Sequence, residues 1–242
     1  MNRLYQKNEI WFAIAWIITY VVGSSAAETM SDTIGVPKLV TVLFHVGLSL
    51  VVFFWMRRKD LLEKYGLCRS DVAAVKFLYY IPLIIMGSCN LWYGVKWNMP
   101  VLETLFYVIS MICVGFLEEI IFRGFLFRAM SRDSIKWAIL VSSVTFGIGH
   151  ILNLFNGSGM DVVSNLCQIC NAIAFGFLFV IIFYRGKSLL PCIFTHSTIN
   201  VLSAFTDESS LSAGREIIMA LVLAVMAVAY TGILLKTLPE RK

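Results

Sequence analysis

The sequence Gly115-Phe116-Leu117-Glu118-Glu119-Ile120-Ile121-Phe122-Arg123 places two adjacent carboxylates and an arginine inside an otherwise apolar run. Ionisable side chains at membrane depth cost several kcal/mol each unless they are paired or face a wet cavity, so they are usually functional. On a helix, Glu119 and Arg123 share a face because they are four residues apart. Glu118 points about 100° away from Glu119. The stretch therefore predicts one carboxylate paired with the arginine and a second that is available for other work.

The composition of the whole chain indicates a polytopic membrane protein. Of the 242 residues, 59% are hydrophobic and 14% are charged, and the mean hydropathy is +0.80. A soluble domain usually carries about 25% charged residues. The formal charge of +5 does not indicate a nucleic-acid partner, because the basic residues lie in short gaps between apolar segments. We expect a single integral membrane domain over residues 1–242, with no cleaved signal peptide.

Apolar runs long enough to span a bilayer, which takes about 20 residues, predict an all-α fold of about eight membrane helices. These runs are Ile10–Ala27, Leu39–Met56, Phe77–Val95, Val101–Met130, Trp137–Met160, Val162–Tyr184, Ser188–Thr206 and Ile217–Leu235. Most lysines and arginines fall in alternate gaps between the runs, together with both termini. Because cytoplasmic loops carry an excess of Lys and Arg, we predict that both termini are cytoplasmic, in what is expected to be a bacterial cell membrane.

Three features outside the central stretch have simpler interpretations. The segment Arg57–Lys76 is basic and partly amphipathic, which predicts either a segment lying on the anionic inner leaflet or an ordinary solvated loop. His45 has no companion motif, and we expect it to be structural and to bond across helices. Cys167 and Cys170 form a CxxC pattern inside a predicted membrane helix, and without a second pair we interpret them as helix-packing residues.

Polar side chains from three predicted helices fall at similar depths in the membrane. Counted from the basic ends at 1.5 Å per residue, Glu119 and His196 lie roughly 13 Å in, Asn200 roughly 19 Å and His150 roughly 21 Å. A carboxylate and an imidazole together can deprotonate a water molecule. A second imidazole with an amide four residues on can donate hydrogen bonds to a developing oxyanion. The set suits hydrolysis of an acyl bond.

Other uses of the same polar groups remain open. A carboxylate of the Glu118-Glu119 pair, with His150 and His196, would form a zinc site of two imidazoles and one carboxylate with an open position. Asn153 follows His150 by about one turn, and Gln168 lies on a polar face of the next helix. We expect these two amides to contact the substrate or to orient the groups of the site.

Three linked motifs carry a resemblance to a known family. They are Glu118-Glu119-x-x-x-Arg123, Phe146-x-x-x-His150 and His196-x-x-x-Asn200. In order and rough spacing they resemble the CPBP (Abi) family of intramembrane proteases, which is related to the type II CAAX prenyl endopeptidases. The motif-bearing core covers about residues 101–206, and the first hundred residues add only helices.

The resemblance implies a role for each motif residue. Glu118 and His150 would activate the water, His196 and Asn200 would hold the oxyanion, and the Glu119–Arg123 pair would support the site. The family has long been labelled as metalloproteases, although an archaeal relative is described as a metal-free, glutamate-dependent enzyme. We expect no metal, because zinc bound by Glu118, His150 and His196 would leave the base unassigned.

The sequence therefore predicts an intramembrane endopeptidase that hydrolyses a peptide bond of a membrane-associated peptide or protein. The substrate is expected to be a CAAX-type lipidated protein or a peptide of the pheromone or bacteriocin type, and the bilayer is the other expected partner. The alternative is a non-proteolytic immunity or scaffold protein. A transporter with a buried carboxylate relay is a further alternative, although the matched halves or inverted repeats typical of transporters are not evident. The sequence carries no signal for an oligomeric state.

Overall fold

The computed structural model describes residues 1–155, 160–210 and 212–240, and these residues are almost entirely helical. After a short N-terminal helix, the main helices are α1 (Glu9–Ile34), α2 (Leu39–Arg58), α3 (Ile81–Gly87), α4 (Val101–Glu118), α5 (Ile135–Gly149), α6 (Val162–Gly186), α7 (Leu190–Leu202) and α8 (Ala213–Thr237). A π-helix (Glu119–Phe127) and a last turn (Arg128–Met130) extend α4, and 3₁₀ turns extend α5 to Leu154 and α7 to Phe205. The predicted all-α polytopic bundle is confirmed.

Length and composition show which helical stretches can cross a membrane. Six in the described part of the chain are long and apolar enough: Glu9–Ile34, Leu39–Arg58, Val101–Met130, Ile135–Leu154, Val162–Gly186 and Ala213–Thr237. Two apolar stretches are shorter, Ala74–Gly87 and Leu190–Phe205. The protein is therefore an integral membrane protein, and its described residues include six helices able to span a bilayer and two shorter apolar segments.

Local sequence signals explain where several helices begin and end. The side chain of Asn8 accepts hydrogen bonds from the N–H groups of Ile10 and Trp11, which caps the start of α1. Asp161 caps α6 in the same way. Gly35 ends α1 in the left-handed conformation, which glycine adopts without steric cost. The last helical residue, Ile34, lies seven residues beyond Ala27, the predicted end of the first helix.

The prediction of one continuous helix over Phe77–Val95 is wrong. Leu78, Tyr79 and Tyr80 all have positive φ angles, and consecutive left-handed residues cannot belong to a right-handed helix. The helix α3 begins only after them, with Pro82 in its first turn, and a second 3₁₀ turn follows it. A seven-residue helix is about 10 Å long, so α3 alone is too short to cross a bilayer.

The broken segment nevertheless connects the two ends of the bundle. At one end the hydroxyl of Thr237, the last residue of α8, donates a hydrogen bond to the carbonyl of Lys76. At the other end Val95 pairs with Thr206, just beyond the 3₁₀ turn that extends α7. The chain therefore passes between the ends as separate helical pieces. The cytoplasmic placement of both termini stays a prediction.

Two other predicted boundaries differ from the structure. The helix predicted over Ser188–Thr206 begins at Leu190, because Lys187 is left-handed and Pro191 lies in the first turn of α7. The helix predicted over Trp137–Met160 is helical as far as Leu154. Residues 156–159, near its predicted end, lie outside the described residues.

The middle of the segment Arg57–Lys76 packs against the bundle, so the solvated-loop prediction is wrong for this part. Tyr65 is buried with its ring 4.9 Å from that of Phe125, edge to face. The carbonyl of Gly66 accepts a hydrogen bond from the N–H of Leu189 at 2.8 Å. Residues 59–73 form turns and not an amphipathic helix. This loop is therefore a fixed part of the fold at the basic end of the bundle.

Candidate active site

The two adjacent carboxylates lie where α4 changes its helical form. The α-helix ends at Glu118, and the π-helix begins at Glu119 and continues to Phe127 with all nine residues buried. π-helical turns are rare and often occur at functional sites. The Glu118-Glu119 pair is thus held on a buried helical segment with an unusual backbone geometry.

A glycine one turn earlier allows α7 to approach α4 closely. A Cβ atom at Gly115 would lie 2.2 Å from Oγ of Ser197 and 2.7 Å from its backbone nitrogen. Only glycine fits at such a contact. Because Ser197 follows His196 in the chain, this close approach brings the imidazole of His196 to the carboxylates.

Glu119 forms the ion pair that the sequence predicts, together with a second bond that it does not. Its Oε1 atom accepts a hydrogen bond from Nη1 of Arg123 at 3.1 Å. The same oxygen lies 2.8 Å from Nδ1 of His196. Glu119 and Arg123 are both 0% exposed, and the guanidinium carbon of Arg123 lies 3.9 Å from the centre of the Phe146 ring. The arginine is therefore compensated by one carboxylate and one aromatic face.

Glu118 has different partners, which leave one of its oxygens without a hydrogen bond. The hydroxyl of Tyr20, on α1, donates a hydrogen bond to Oε1 of Glu118 at 2.7 Å. The Oε2 atom is buried, has no hydrogen-bond partner among the described residues and lies 3.5 Å from Nε2 of His196. This oxygen is the one that is available to a further group.

His196 therefore lies between the two carboxylates. Glu119, paired with Arg123, can only accept hydrogen bonds when ionised, so Nδ1 of His196 carries the proton in their contact. The opposite nitrogen, Nε2, faces Glu118. The sequence places Glu119 and His196 at the same depth but does not predict this bridge.

His150 has one nitrogen bonded to the backbone and the other free. Its Nδ1 atom lies 3.1 Å from the carbonyl oxygen of Phe146, which can only accept, so Nδ1 donates. In the neutral ring Nε2 is then the unprotonated, basic nitrogen. The partnership of His150 with Glu118 stays a prediction.

A cavity of about 300 Å³ joins three of the four predicted catalytic residues. It is bounded by the segment around α3 and by α5 to α8. Its wall includes imidazole, amide and aromatic side chains: His150, His196, Asn90, Gln168, Asn171, Asn200, Phe146, Phe175 and Phe179. Glu118 contacts the lining residue His196 without itself lining the cavity. Cavities with apolar walls and a few convergent polar groups are typical of binding sites.

The predicted amides have distinct environments. The side chain of Asn200 lines the cavity and makes no hydrogen bond within the part of the chain that the structure describes. Asn153 donates to Oε1 of Gln168 at 2.8 Å, and only Gln168 of these two lines the cavity. Asn165, which is fully buried, donates to the carbonyl of His150 at 2.8 Å. Asn153 and Asn165 thus connect α6 to the turn that carries His150.

The residues proposed for a zinc site are not arranged for one. Among residues 1–155, 160–210 and 212–240, no group of three His, Cys, Asp or Glu side chains is placed to hold a metal ion. Zinc sites in enzymes use three protein ligands and one open position. The donor set of Glu118, His150 and His196 does not fit this geometry.

Tyr20 is the site residue that sequence analysis missed. It is separated from Glu118 by 98 residues, and a single hydroxyl in an apolar helix gives no sign of its partner. His45, in contrast, has the cross-helix structural contacts predicted for it, with Ser24 at 3.0 Å and Ser110 at 2.8 Å. Cys167 and Cys170 are both free thiols.

The fold and this site together define a class: a helical integral membrane protein with a buried carboxylate–imidazole cluster beside a cavity. Comparison with known families assigns the class more narrowly. Residues 100–202 match the family described as type II CAAX prenyl endopeptidase Rce1-like, and this segment contains all three motifs. The predicted resemblance is therefore confirmed over this segment, which is less than half of the chain. No curated protein matches the chain.

Proposed function

We propose that the protein is an intramembrane endopeptidase that hydrolyses a peptide bond of a membrane-associated peptide or protein. The observation that carries the proposal is the buried cluster of Glu118, Glu119 and His196 next to a cavity that His150 and Asn200 also line. Buried ionisable groups beside a cavity are a recognised sign of a catalytic site. The family match over residues 100–202 supports peptide hydrolysis as the reaction.

Water activation is assigned to Glu118 and His150. The unbonded Oε2 atom of Glu118 takes one proton from a water molecule, while Nε2 of His150 accepts a hydrogen bond from the other. The oxygen of the water then attacks the carbonyl carbon of the scissile bond. The proton held by Glu118 passes to the leaving nitrogen when the C–N bond breaks, so that the products are a carboxylic acid and an amine.

His196 and Asn200 are assigned to the oxyanion that forms during the attack. To donate from Nε2 while Nδ1 donates to Glu119, the ring of His196 must be an imidazolium. The free amide of Asn200 supplies the second donor.

The surroundings of the site support an apolar substrate. The cavity is enclosed by apolar membrane helices and lined by aromatic rings and amides, which suits an extended apolar peptide segment. A CAAX-type lipidated C-terminus and a hydrophobic peptide of the pheromone or bacteriocin type both have this character. We propose a substrate of one of these two kinds.

The test uses the purified full-length protein in lipid vesicles with two fluorogenic peptides, one farnesylated CAAX peptide and one unprenylated hydrophobic peptide. We expect cleavage of at least one peptide, and a loss of at least about 100-fold in Glu118→Gln and in His150→Ala, as is typical when a general base is removed. Glu103→Gln is the matched control, because it makes the same chemical change at the start of the same helix.

Three results would count against the proposal. Cleavage at the wild-type rate by both Glu118→Gln and His150→Ala would end it. Equal loss of activity in Glu103→Gln would show that the effect is not specific to the site. Full cellular function in cells that carry Glu118→Gln would favour the non-proteolytic scaffold or immunity role.

A further inference from the structure

The contact between Tyr20 and Glu118 joins two parts of the chain, of which only one matches the protease family. Glu118 lies within residues 100–202, the segment that matches the protease family, whereas Tyr20 lies on α1, outside this segment. The hydroxyl of Tyr20 donates to Oε1 of Glu118 at 2.7 Å, a short hydrogen bond to a carboxylate. The first helix therefore contributes a side chain directly to the carboxylate of the site.

The orientation of this carboxylate decides which oxygen is free. Because Oε1 is bonded to Tyr20, Oε2 is the atom that remains without a hydrogen bond and lies near Nε2 of His196. Without the hydroxyl both oxygens would lack a hydrogen-bond donor, and the carboxylate would be free to rotate about its terminal torsion, which is broad for glutamate. The tyrosine thus leaves Oε2 as the oxygen that faces Nε2 of His196.

Tyr20 is itself held in place by a neighbouring helix. Its ring is stacked on the ring of His45, with the centroids 5.9 Å apart and the planes at 29°. The two nitrogens of His45 are bonded to Ser24 on α1 and Ser110 on α4. The imidazole therefore links three helices, and the tyrosine that packs on it is restricted at both its ring and its hydroxyl.

We infer that Tyr20 is a positioning residue that orients Glu118 through its hydroxyl, supported by the ring of His45. The inference rests on the proposed function, since Glu118 is the base in that reaction. It extends the site to α1 and α2 and gives these helices a role beyond crossing the membrane. Positioning of this kind changes the rate of the chemical step more than the binding of the substrate.

The test compares Tyr20→Phe with Tyr230→Phe. Tyr230 is a matched control because it is also buried and its hydroxyl also donates one hydrogen bond of 2.7 Å, to the carbonyl of Phe77 on another part of the bundle. We expect kcat to fall about 10- to 100-fold in Tyr20→Phe, the size expected for one hydrogen bond to a charged group, with KM changed less than twofold. Tyr230→Phe should leave kcat unchanged.

A second measurement does not depend on activity. The infrared carboxyl band that disappears in Glu118→Gln belongs to Glu118, and its frequency should shift in Tyr20→Phe but not in Tyr230→Phe. Incorporation of 3,5-difluorotyrosine at position 20 keeps the ring and the hydroxyl while strengthening the donor, and it should shift the band in the opposite direction. This variant keeps the test informative where Tyr20→Phe fails to fold.

The outcomes separate the two proposals. An unchanged band, a wild-type kcat in Tyr20→Phe, or equal losses of kcat in Tyr20→Phe and Tyr230→Phe would overturn the positioning role. A shifted band in a protein that cleaves neither test peptide would refute the proposed protease function and leave the orientation of Glu118 by Tyr20 supported.

Discussion

The Nδ1 atom of His196 lies 2.8 Å from Oε1 of Glu119, and this oxygen also accepts the hydrogen bond from Arg123. One carboxylate oxygen thus joins α7 to the π-helix that follows α4. The neighbouring carboxylate, Glu118, shares only the imidazole with this group and has its own partner in Tyr20. The two adjacent glutamates therefore have different structural roles. The same substitution at the two positions should change stability and cleavage to different extents.

Replacing Glu119 by glutamine should destabilise the protein more than the same change at Glu118. Glu119→Gln leaves the guanidinium of Arg123 fully buried without a counter-charge, which typically costs about 3–5 kcal/mol. In Glu118→Gln the new amide oxygen still accepts from Tyr20, so we expect a loss of about 1–2 kcal/mol together with loss of cleavage. Thermal unfolding in detergent and peptide cleavage measure the two effects.

A double substitution provides the control for this difference. If the cost at Glu119 comes from the stranded arginine, Arg123→Met should recover part of the stability lost in Glu119→Gln, because an apolar side chain of similar length replaces the charge. Equal reductions in melting temperature from Glu118→Gln and Glu119→Gln would contradict the division of roles.

Replacing Gly115 by alanine should separate α7 from α4. The added Cβ would lie 2.7 Å from the backbone nitrogen of Ser197, and a backbone atom cannot move aside as a flexible side chain can. Overpacking of this kind costs about 1–3 kcal/mol, and the displacement of His196 should reduce cleavage at least about tenfold. Gly124→Ala is the control, because its nearest neighbours lie at 3.7 Å. A wild-type rate in Gly115→Ala would show that the close approach is not needed.

Sequence periodicity predicts contacts within a helix well. At this site it does not predict the contacts between helices. The pair Glu119–Arg123 follows from a spacing of four residues and is present. The bond between Glu119 and His196 and the bond between Glu118 and Tyr20 join residues 77 and 98 positions apart. Such contacts depend on which helix faces which, and the apolar pattern of a membrane helix does not specify this because lipid-facing and core residues are both apolar.

The broken helix around α3 shows a related limit. An uncharged run of about 20 residues satisfies the requirement for crossing a membrane, and Phe77–Val95 meets it. The left-handed residues Leu78 to Tyr80 depend on contacts made by the fold, such as the stacking of Phe77 on Tyr80 with ring centroids 4.8 Å apart. Composition predicts that this segment runs between the two ends of the bundle, but it does not predict the conformation of its backbone.

The loop that contains Gly66 should be more sensitive to alanine than the loop that contains Gly35. Both glycines are left-handed, with φ of +79° and +76°, so alanine costs about 1–2 kcal/mol at each through the backbone alone. At Gly66 the new Cβ would also lie 2.6 Å from the ring of Phe183 and 2.9 Å from the backbone nitrogen of Leu189, whereas nothing lies within 4 Å at Gly35. We expect Gly66→Ala to lower the melting temperature more than Gly35→Ala does.

The thiol of Cys68 reports whether this loop has left the bundle. Burial, and then the nearby charges of Glu63 and Asp71, raise the pKa of Cys68, so little of its reactive thiolate is present at neutral pH. Release of the loop should lower this pKa towards its ordinary value and speed alkylation of Cys68, which peptide mass spectrometry measures. Faster alkylation in Gly66→Ala but not in Gly35→Ala is the expected pattern. Equal rates in both variants would show that the loop is not held by the contact at Gly66.

Removal of metal ions should leave cleavage unchanged. A catalytic zinc site needs three protein ligands, and no such group of His, Cys, Asp or Glu side chains exists among the described residues. Oε2 of Glu118 and Nε2 of His150 are the basic atoms that the metal-free, glutamate-dependent mechanism uses. We expect substoichiometric zinc in the purified protein and less than a twofold loss of rate after treatment with 1,10-phenanthroline.

Three measurements together distinguish a metal mechanism from the glutamate mechanism: the cleavage rate after chelation, the rate after Zn²⁺ is added back, and the rate and metal content of Glu118→Gln. A rate that falls at least tenfold with chelator and returns with added Zn²⁺ would show that a metal takes part, and the roles of Glu118 and His150 would then be those of ligands. Under a metal mechanism Glu118→Gln should also lower the zinc content. Under the glutamate mechanism Glu118→Gln should abolish cleavage without any change in bound metal, because the lost group is the base that takes the proton from water.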